Sequence, residues 1–196
     1  MQSTTSRYAR RSAVLAAVLV LAACGSGTTT AATAPAATAA RVISVATLKP
    51  GQSVAKPAGK AVFTMTGKIS TVNQGAALVF DQHTIEQLGV VQVELYEPWT
   101  KQNLEFRGVW LQDLVALAVV PADATRLHII ALDDYTVDLP LSDIRAGGIM
   151  LATRAGDGSA IRIDDGGPTR VVFLDGVAAG ANADQWIWSI QQIDVQ

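Results

Sequence analysis

Along most of the chain the apolar residues come in short runs separated by glycine, proline and aspartate. That pattern belongs to strands joined by turns, not to long helices. Residues 61–66 alternate and then meet Gly67, which predicts a strand ending in a turn. Residues 76–80 form a second short apolar run. Over 90–96, Val91, Val93 and Leu95 alternate with Gln92, Glu94 and Tyr96, the mark of a half-buried strand. Between these runs, Thr84-Ile85-Glu86-Gln87-Leu88-Gly89 predicts one helical turn, with Thr84 as cap, Gln87 as its capping-box partner and Gly89 at its end. Pro98-Trp99-Thr100-Lys101 begins a loop.

The clearest helix covers residues 110–118, where Leu111, Leu114, Val115 and Ala118 share one face and Pro121 follows as a stop. Residues 126–132 and 135–139 flank Asp133-Asp134 and predict a hairpin that carries His128. A brief helical turn is expected at 141–144, a strand at 148–153 and a turn at Gly156-Asp157-Gly158. Gly166-Gly167-Pro168 then bends the chain into a buried strand over 171–174. Arg170 stands where that turn enters the strand. Two readings are open for it: a surface arginine on a polar loop, or a side chain facing a cleft. A last strand is expected over 185–195, which would put Trp186 and Trp188 on one face. The sum is a β-rich α+β domain over residues 60–196, with one clear helix and short helical turns.

The first 59 residues have a different character. Arg7, Arg10 and Arg11 precede an unbroken apolar run over 13–21, too short to span a bilayer and of signal-peptide length. It leads into Leu21-Ala22-Ala23-Cys24, which resembles a bacterial lipobox. Residues 1–23 are therefore expected to be a lipoprotein signal peptide, and Cys24 to carry acyl chains such as palmitate. Residues 25–40 hold only small or polar side chains apart from one proline and have no charge, so 24–59 reads as a flexible tether, in which the more apolar 41–48 is open as a first strand or a continued linker and 49–60, rich in Pro and Gly, punctuates the approach to the domain. The expected location is the cell envelope, on the extracytoplasmic side, with the membrane as partner through the lipid.

Charge and chemistry narrow the picture. The 196 residues carry a net charge of -2; without the three arginines of the leader, 12 basic residues face 17 acidic ones, a net of -5. No basic run is present, which argues against nucleic acid and requires any anion site to be local. Cys24 is the only cysteine, so an intrachain disulfide is excluded, and its expected acylation excludes a cysteine nucleophile. His83 and His128 are far apart in sequence, and no serine stands in a nucleophile elbow. No catalytic residue and no protein-built metal site are expected, since the pairs Asp133-Asp134 and Asp164-Asp165 sit in turns that favour aspartate.

Four elements in series carry a resemblance. They are Phe106-x-Gly108-Val109-x-Leu111-x-Asp113-Leu114, then Asp134-Tyr135-x-Val137-x-Leu139-Pro140-Leu141, then Gly166-Gly167-Pro168-x-Arg170-Val171-Val172, then Trp186-x-x-Ser189-Ile190. Together they resemble the molybdopterin-binding domain of the sulfite oxidase family. The resemblance implies a mixed α+β fold, molybdenum held through a pterin dithiolene, and a role for the Gly-rich turn and its arginine in binding that cofactor. The resemblance carries over Arg170 and, with the Gly-rich turn, Gly167; a ligand site is expected in the cleft between the loop around Trp99, the Asp134-Tyr135 turn and Arg170. Arg170 would pair with an anionic group, and Trp99 and Tyr135 would wall it. The family's oxidases ligate molybdenum through a cysteine upstream of the helix motif. Residues 90–106 contain none, and Asp165 and Gly166 stand where active members often have a histidine. The implied protein is a lipid-anchored binding or redox-accessory module with no cofactor of its own, taking a small anionic ligand or a redox protein as partner. The alternatives are a molybdopterin-dependent oxidoreductase and an envelope interaction domain without a ligand.

Overall fold

A computed structural model of the chain describes residues 40–196. The expected signal peptide, Cys24 and the tether as far as residue 39 lie outside the described residues. The strands are β1 (Arg41–Val42), β2 (Ala61–Gly67), β3 (Leu78–Asp81), β4 (Val91–Glu97), β5 (Gln102–Trp110), β6 (Arg126–Ala131), β7 (Thr136–Pro140), β8 (Ile149–Ala155), β9 (Arg170–Phe173) and β10 (Ile190–Val195). Three short helices interrupt them: α1 (Gln82–Glu86), α2 (Leu111–Leu117) and α3 (Leu141–Ala146).

The strands make two five-stranded sheets. One has the order β1-β4-β5-β8-β9, with every neighbour antiparallel. The other has the order β3-β2-β10-β6-β7, antiparallel except where β10 lies parallel to β2. Inward side chains of both sheets and of α2 enter one continuous apolar core, including Phe63, Leu95, Val109, Leu127, Phe173 and Ile193. The period-two alternation expected around 90–96 is present in β4, where Val93 and Leu95 are buried and Glu94 and Tyr96 are exposed. The helical stripe Leu111, Leu114, Val115 and Ala118 is buried throughout.

Four sequence expectations need correction. Thr84 does not cap α1. Asp81 does: its carboxylate accepts from the Thr84 backbone N–H at 2.8 Å and from the Thr84 hydroxyl at 2.6 Å. A carboxylate at the N-cap satisfies donors that the first helical turn leaves open. The run at 102–110 is a nine-residue strand and not merely the approach to α2. The last strand begins only at Ile190, because a 3-10 turn at Ala183–Gln185 and a left-handed Ser189 (φ +51°) break the extended run. Finally, of the two options for 41–48 the strand is present, β1 pairing with β4, and Val54, within the stretch assigned to the tether, is buried in the core.

Candidate functional site

The alternation of β4 places Val91, Val93, Leu95 and Glu97 on its inner face. The pattern thus carries a carboxylate onto an apolar surface, where an isolated charge would be strongly unfavourable. Glu97 is fully buried (0% exposed), and its answer is Arg170, the first residue of β9, 4% exposed. Arg170 Nη2 donates to Glu97 Oε1 at 2.9 Å, and Nη1 donates to the Asp165 carbonyl at 3.3 Å. The other Glu97 oxygen accepts from the Thr100 N–H at 2.6 Å, in the turn that follows β4. The guanidinium lies 4.3 Å from the Trp188 ring and 5.1 Å from that of Phe106. Burial pulls its pKa below the ordinary arginine value, against the opposing pull of Glu97 and Asp165. Three buried polar atoms in this region have no protein partner: Thr169 Oγ1, Arg170's own Nε and Trp188 Nε1.

The Gly-rich turn is shaped by close packing. Gly166 is left-handed (φ +83°), and a Cβ there would meet the Trp188 side chain at 2.9 Å. At Gly167 a Cβ would fall onto the Ile161 carbonyl, while the Gly167 N–H donates to the Arg162 carbonyl at 2.8 Å. Ser189 ties the turn to the β6–β7 hairpin: its N–H donates to Gly166, and its carbonyl accepts from Leu132, both at 2.9 Å.

In front of this floor opens a cavity of about 660 Å³. Its walls include Trp99, Tyr135, Trp186 and Trp188, together with Asp133 and Asp184; no lysine, arginine or histidine lines it. The Tyr135 hydroxyl donates to the Asp184 carbonyl at 3.0 Å and so links two parts of the rim. The Trp99 ring stands nearly perpendicular to Trp188 (81°), with centroids 6.4 Å apart. Trp188 therefore contacts Trp99 and also stacks against the Arg170 guanidinium.

Of the four residues nominated from the sequence, Trp99 and Tyr135 line this cavity; Gly167 and Arg170 do not. Arg170 is neither of the two things the sequence left open. It is not on the surface, and its guanidinium does not reach the cleft; it lies in a layer behind Trp188, held by Glu97. Trp186 and Trp188 do not share a strand face. Trp186 packs on Phe173, with ring centroids 5.4 Å apart, and donates its Nε1–H to the Gly180 carbonyl at 2.9 Å, whereas Trp188 covers Arg170. Sequence reasoning missed Glu97 and Asp184. The first was detectable in principle, as the one charged residue in phase with Val91, Val93 and Leu95. The histidines lie elsewhere: His128 Nδ1 is 2.7 Å from Asp138 on β7, and His83 is beside Gln87. Among the described residues no three His, Cys, Asp or Glu side chains gather to hold a metal ion.

Comparison with known proteins places this geometry in context. The family model described as "Oxidoreductase molybdopterin binding domain" matches residues 82–196, from α1 through β10. Among solved structures the chain is similar to the sulfane dehydrogenase SoxCD from Paracoccus pantotrophus, with 18% identity and a TM-score of 0.54 over 68% of this chain. The match spans 37% of that chain's length, and at this identity the likeness concerns the fold alone. No curated protein matches the chain.

Proposed function

The chain belongs to the oxidoreductase molybdopterin-binding domain family, and from that premise we propose that it is a lipid-anchored envelope protein whose domain binds a small ligand or assists a redox partner without holding molybdenum. The observation that carries the reading is the buried Glu97–Arg170 pair. The resemblance gives the arginine of the Gly-Gly-Pro-x-Arg turn a part in binding the cofactor. In this chain that guanidinium is neutralised from within by a carboxylate and roofed by Trp188.

The donors present do not fit the family's cofactor. A molybdenum dithiolene centre of this type asks for a protein thiolate, and the one cysteine is Cys24, in the expected lipobox. A pterin cofactor's phosphate asks for cations, and the cavity offers Asp133 and Asp184 instead. What remains is a cavity that can bind and orient a ligand through aromatic faces, a tyrosine and two carboxylates. The position of Cys24 behind a signal-like leader supports the anchor, with the lipid as the membrane contact and the domain on the extracytoplasmic side.

The test is direct. The full chain is expressed in a host that makes molybdenum cofactor, and metal and oxidised pterin are measured per chain. Neither is expected at stoichiometric level, and stoichiometric molybdenum or pterin would overturn the reading. One observation favours a second reading, that of a molybdopterin-dependent oxidoreductase: Thr169 Oγ1, Arg170 Nε and Trp188 Nε1 are unpartnered at the family's cofactor turn. The same measurement decides between the two.

A further inference from the structure

We propose that the cavity in front of Trp188 is a site for an organic cation, an ammonium group bearing apolar substituents. This deepens the binding-module reading above and rests on it. It reverses the sign expected from the sequence, where Arg170 was to recruit an anion.

Three observations lead there. The first is electrostatic. Asp133 and Asp184 line the cavity, and neither enters an ion pair among the described residues. Two arginines next to the site are already engaged. Arg170 is neutralised by Glu97 behind the Trp188 ring. Arg162, adjacent in sequence to the cavity residue Ile163, is 3.2 Å from Asp164. An anion entering here would find two aspartates and no cationic residue in the lining. A neutral apolar ligand would strip water from those carboxylates without replacing it, which is unfavourable. A cation offsets both.

The second observation is the wall chemistry. Trp99, Tyr135 and Trp188 supply three electron-rich rings, and aromatic cages of this composition are the usual receptors for quaternary and methylated ammonium groups. Trp188 already uses its ring quadrupole on a cation, the Arg170 guanidinium at 4.3 Å. Trp99 is 53% exposed, a large indole left facing solvent on a turn whose backbone is fixed by Glu97. Burying such a ring against a ligand recovers apolar area that the free protein leaves in water.

The third is preorganisation. The Tyr135 hydroxyl is tied to the Asp184 carbonyl, and the Asp133 carboxylate accepts from the Tyr135 N–H at 3.2 Å. Asp134 and Ser189 hold left-handed backbones on either side (φ +66° and +51°). Rim groups fixed before binding reduce the ordering cost of a ligand. A volume of about 660 Å³ also falls within the usual range for small-molecule sites.

The experiment titrates the full chain with choline while tryptophan fluorescence is recorded. Parallel titrations use its uncharged carbon isostere 3,3-dimethylbutan-1-ol, and inorganic phosphate. Saturable binding of choline is expected, with the isostere at least about tenfold weaker and phosphate silent. Trp99→Ala and Asp184→Asn should each weaken choline by about three- to tenfold at unchanged thermal midpoint, since both side chains are at the surface. Equal binding of alcohol and choline would show a merely apolar cavity and overturn the proposal, as would the absence of saturation by choline at millimolar concentration. Asp133→Asn, which keeps the acceptor for the Tyr135 N–H, serves as a second variant if Asp184→Asn unfolds. Molybdenum is measured on the same preparation. Stoichiometric metal with choline binding would sink only the metal-free reading, and neither metal nor choline binding would sink only this one.

Discussion

At the scale of single residues, Glu97 and Arg170 show how a charge is carried into an apolar core without being wasted. Removing one partner leaves the other buried and uncompensated, which typically costs about 3–5 kcal/mol. Glu97→Gln should therefore lower stability by about that amount, read as a reduced urea midpoint. Arg170→Lys should also destabilise, because an ammonium cannot reproduce the planar fork to Glu97 and Asp165 or stack on Trp188. A wild-type urea midpoint for Arg170→Lys would show that the pair contributes little. Asp81 gives a pH-dependent counterpart. Its pKa is lowered from 3.8 to about 2, chiefly by the Thr84 hydroxyl, with burial acting the other way. A carboxylate depressed in the folded state stabilises above its unfolded pKa, and that contribution is lost as pH falls through the folded pKa. Between about pH 4 and pH 2 the wild-type urea midpoint should fall, and it should fall less in Asp81→Asn. Parallel curves would remove Asp81 from the acid transition. The sequence showed Glu97 in register with its apolar neighbours, but nothing local could pair it with a residue 73 positions away.

Elements were legible in proportion to how well their own pattern specified them. The stripe on α2 and the alternation of β4 fix burial from within the element, and both could be read. Strand β5 could not, because its first half, Gln102-Asn103-Leu104-Glu105, is polar and only its second half is buried. Its identity comes from its partners, β4 and β8. Gly108 marks that dependence: a Cβ there would fall onto the Leu151 carbonyl of β8. Gly108→Ala should therefore disrupt the β5–β8 register and reduce thermal stability, and a wild-type midpoint would argue against so close an approach. The end of α2 points the other way. Val119 follows the helix with φ +50°, a left-handed conformation that strains a β-branched residue, and its side chain is 41% exposed. Val119→Gly should relieve that strain and raise stability by about 1 kcal/mol, measured by urea unfolding. A loss of stability would mean the valine's contacts outweigh its backbone.

For the whole molecule, the serial order of four weak motifs identified the family although no single motif was specific, and the fold followed. The site was less accessible to sequence. Trp99 and Tyr135, nominated from turns next to recognisable strands, line the cavity. The retreat of Arg170 behind Trp188 was not legible, because it depends on the irregular segment between Ala183 and Ile190, which has no periodicity to read. The proposed anchor belongs to this scale too. Cys24→Ala should move the chain from the membrane to the soluble fraction on fractionation, and unchanged partitioning would remove lipidation from the account.

The position of β10 bears on how the molecule is assembled in time. It fills the middle of its sheet, parallel to β2, and the Thr66–Asp194 hydrogen bond spans 128 positions of sequence. As the chain emerges, the all-antiparallel sheet can pair from segments already made, and the β6–β7 hairpin can close on its own. Strand β2 must wait with one edge open, held only by β3, until residues 190–195 arrive. Pairings of such long range are slow to form, and an open strand edge is where a growing chain finds the wrong neighbour. The chain's greatest exposure to misassembly therefore falls in the interval before β10 slots between β2 and β6.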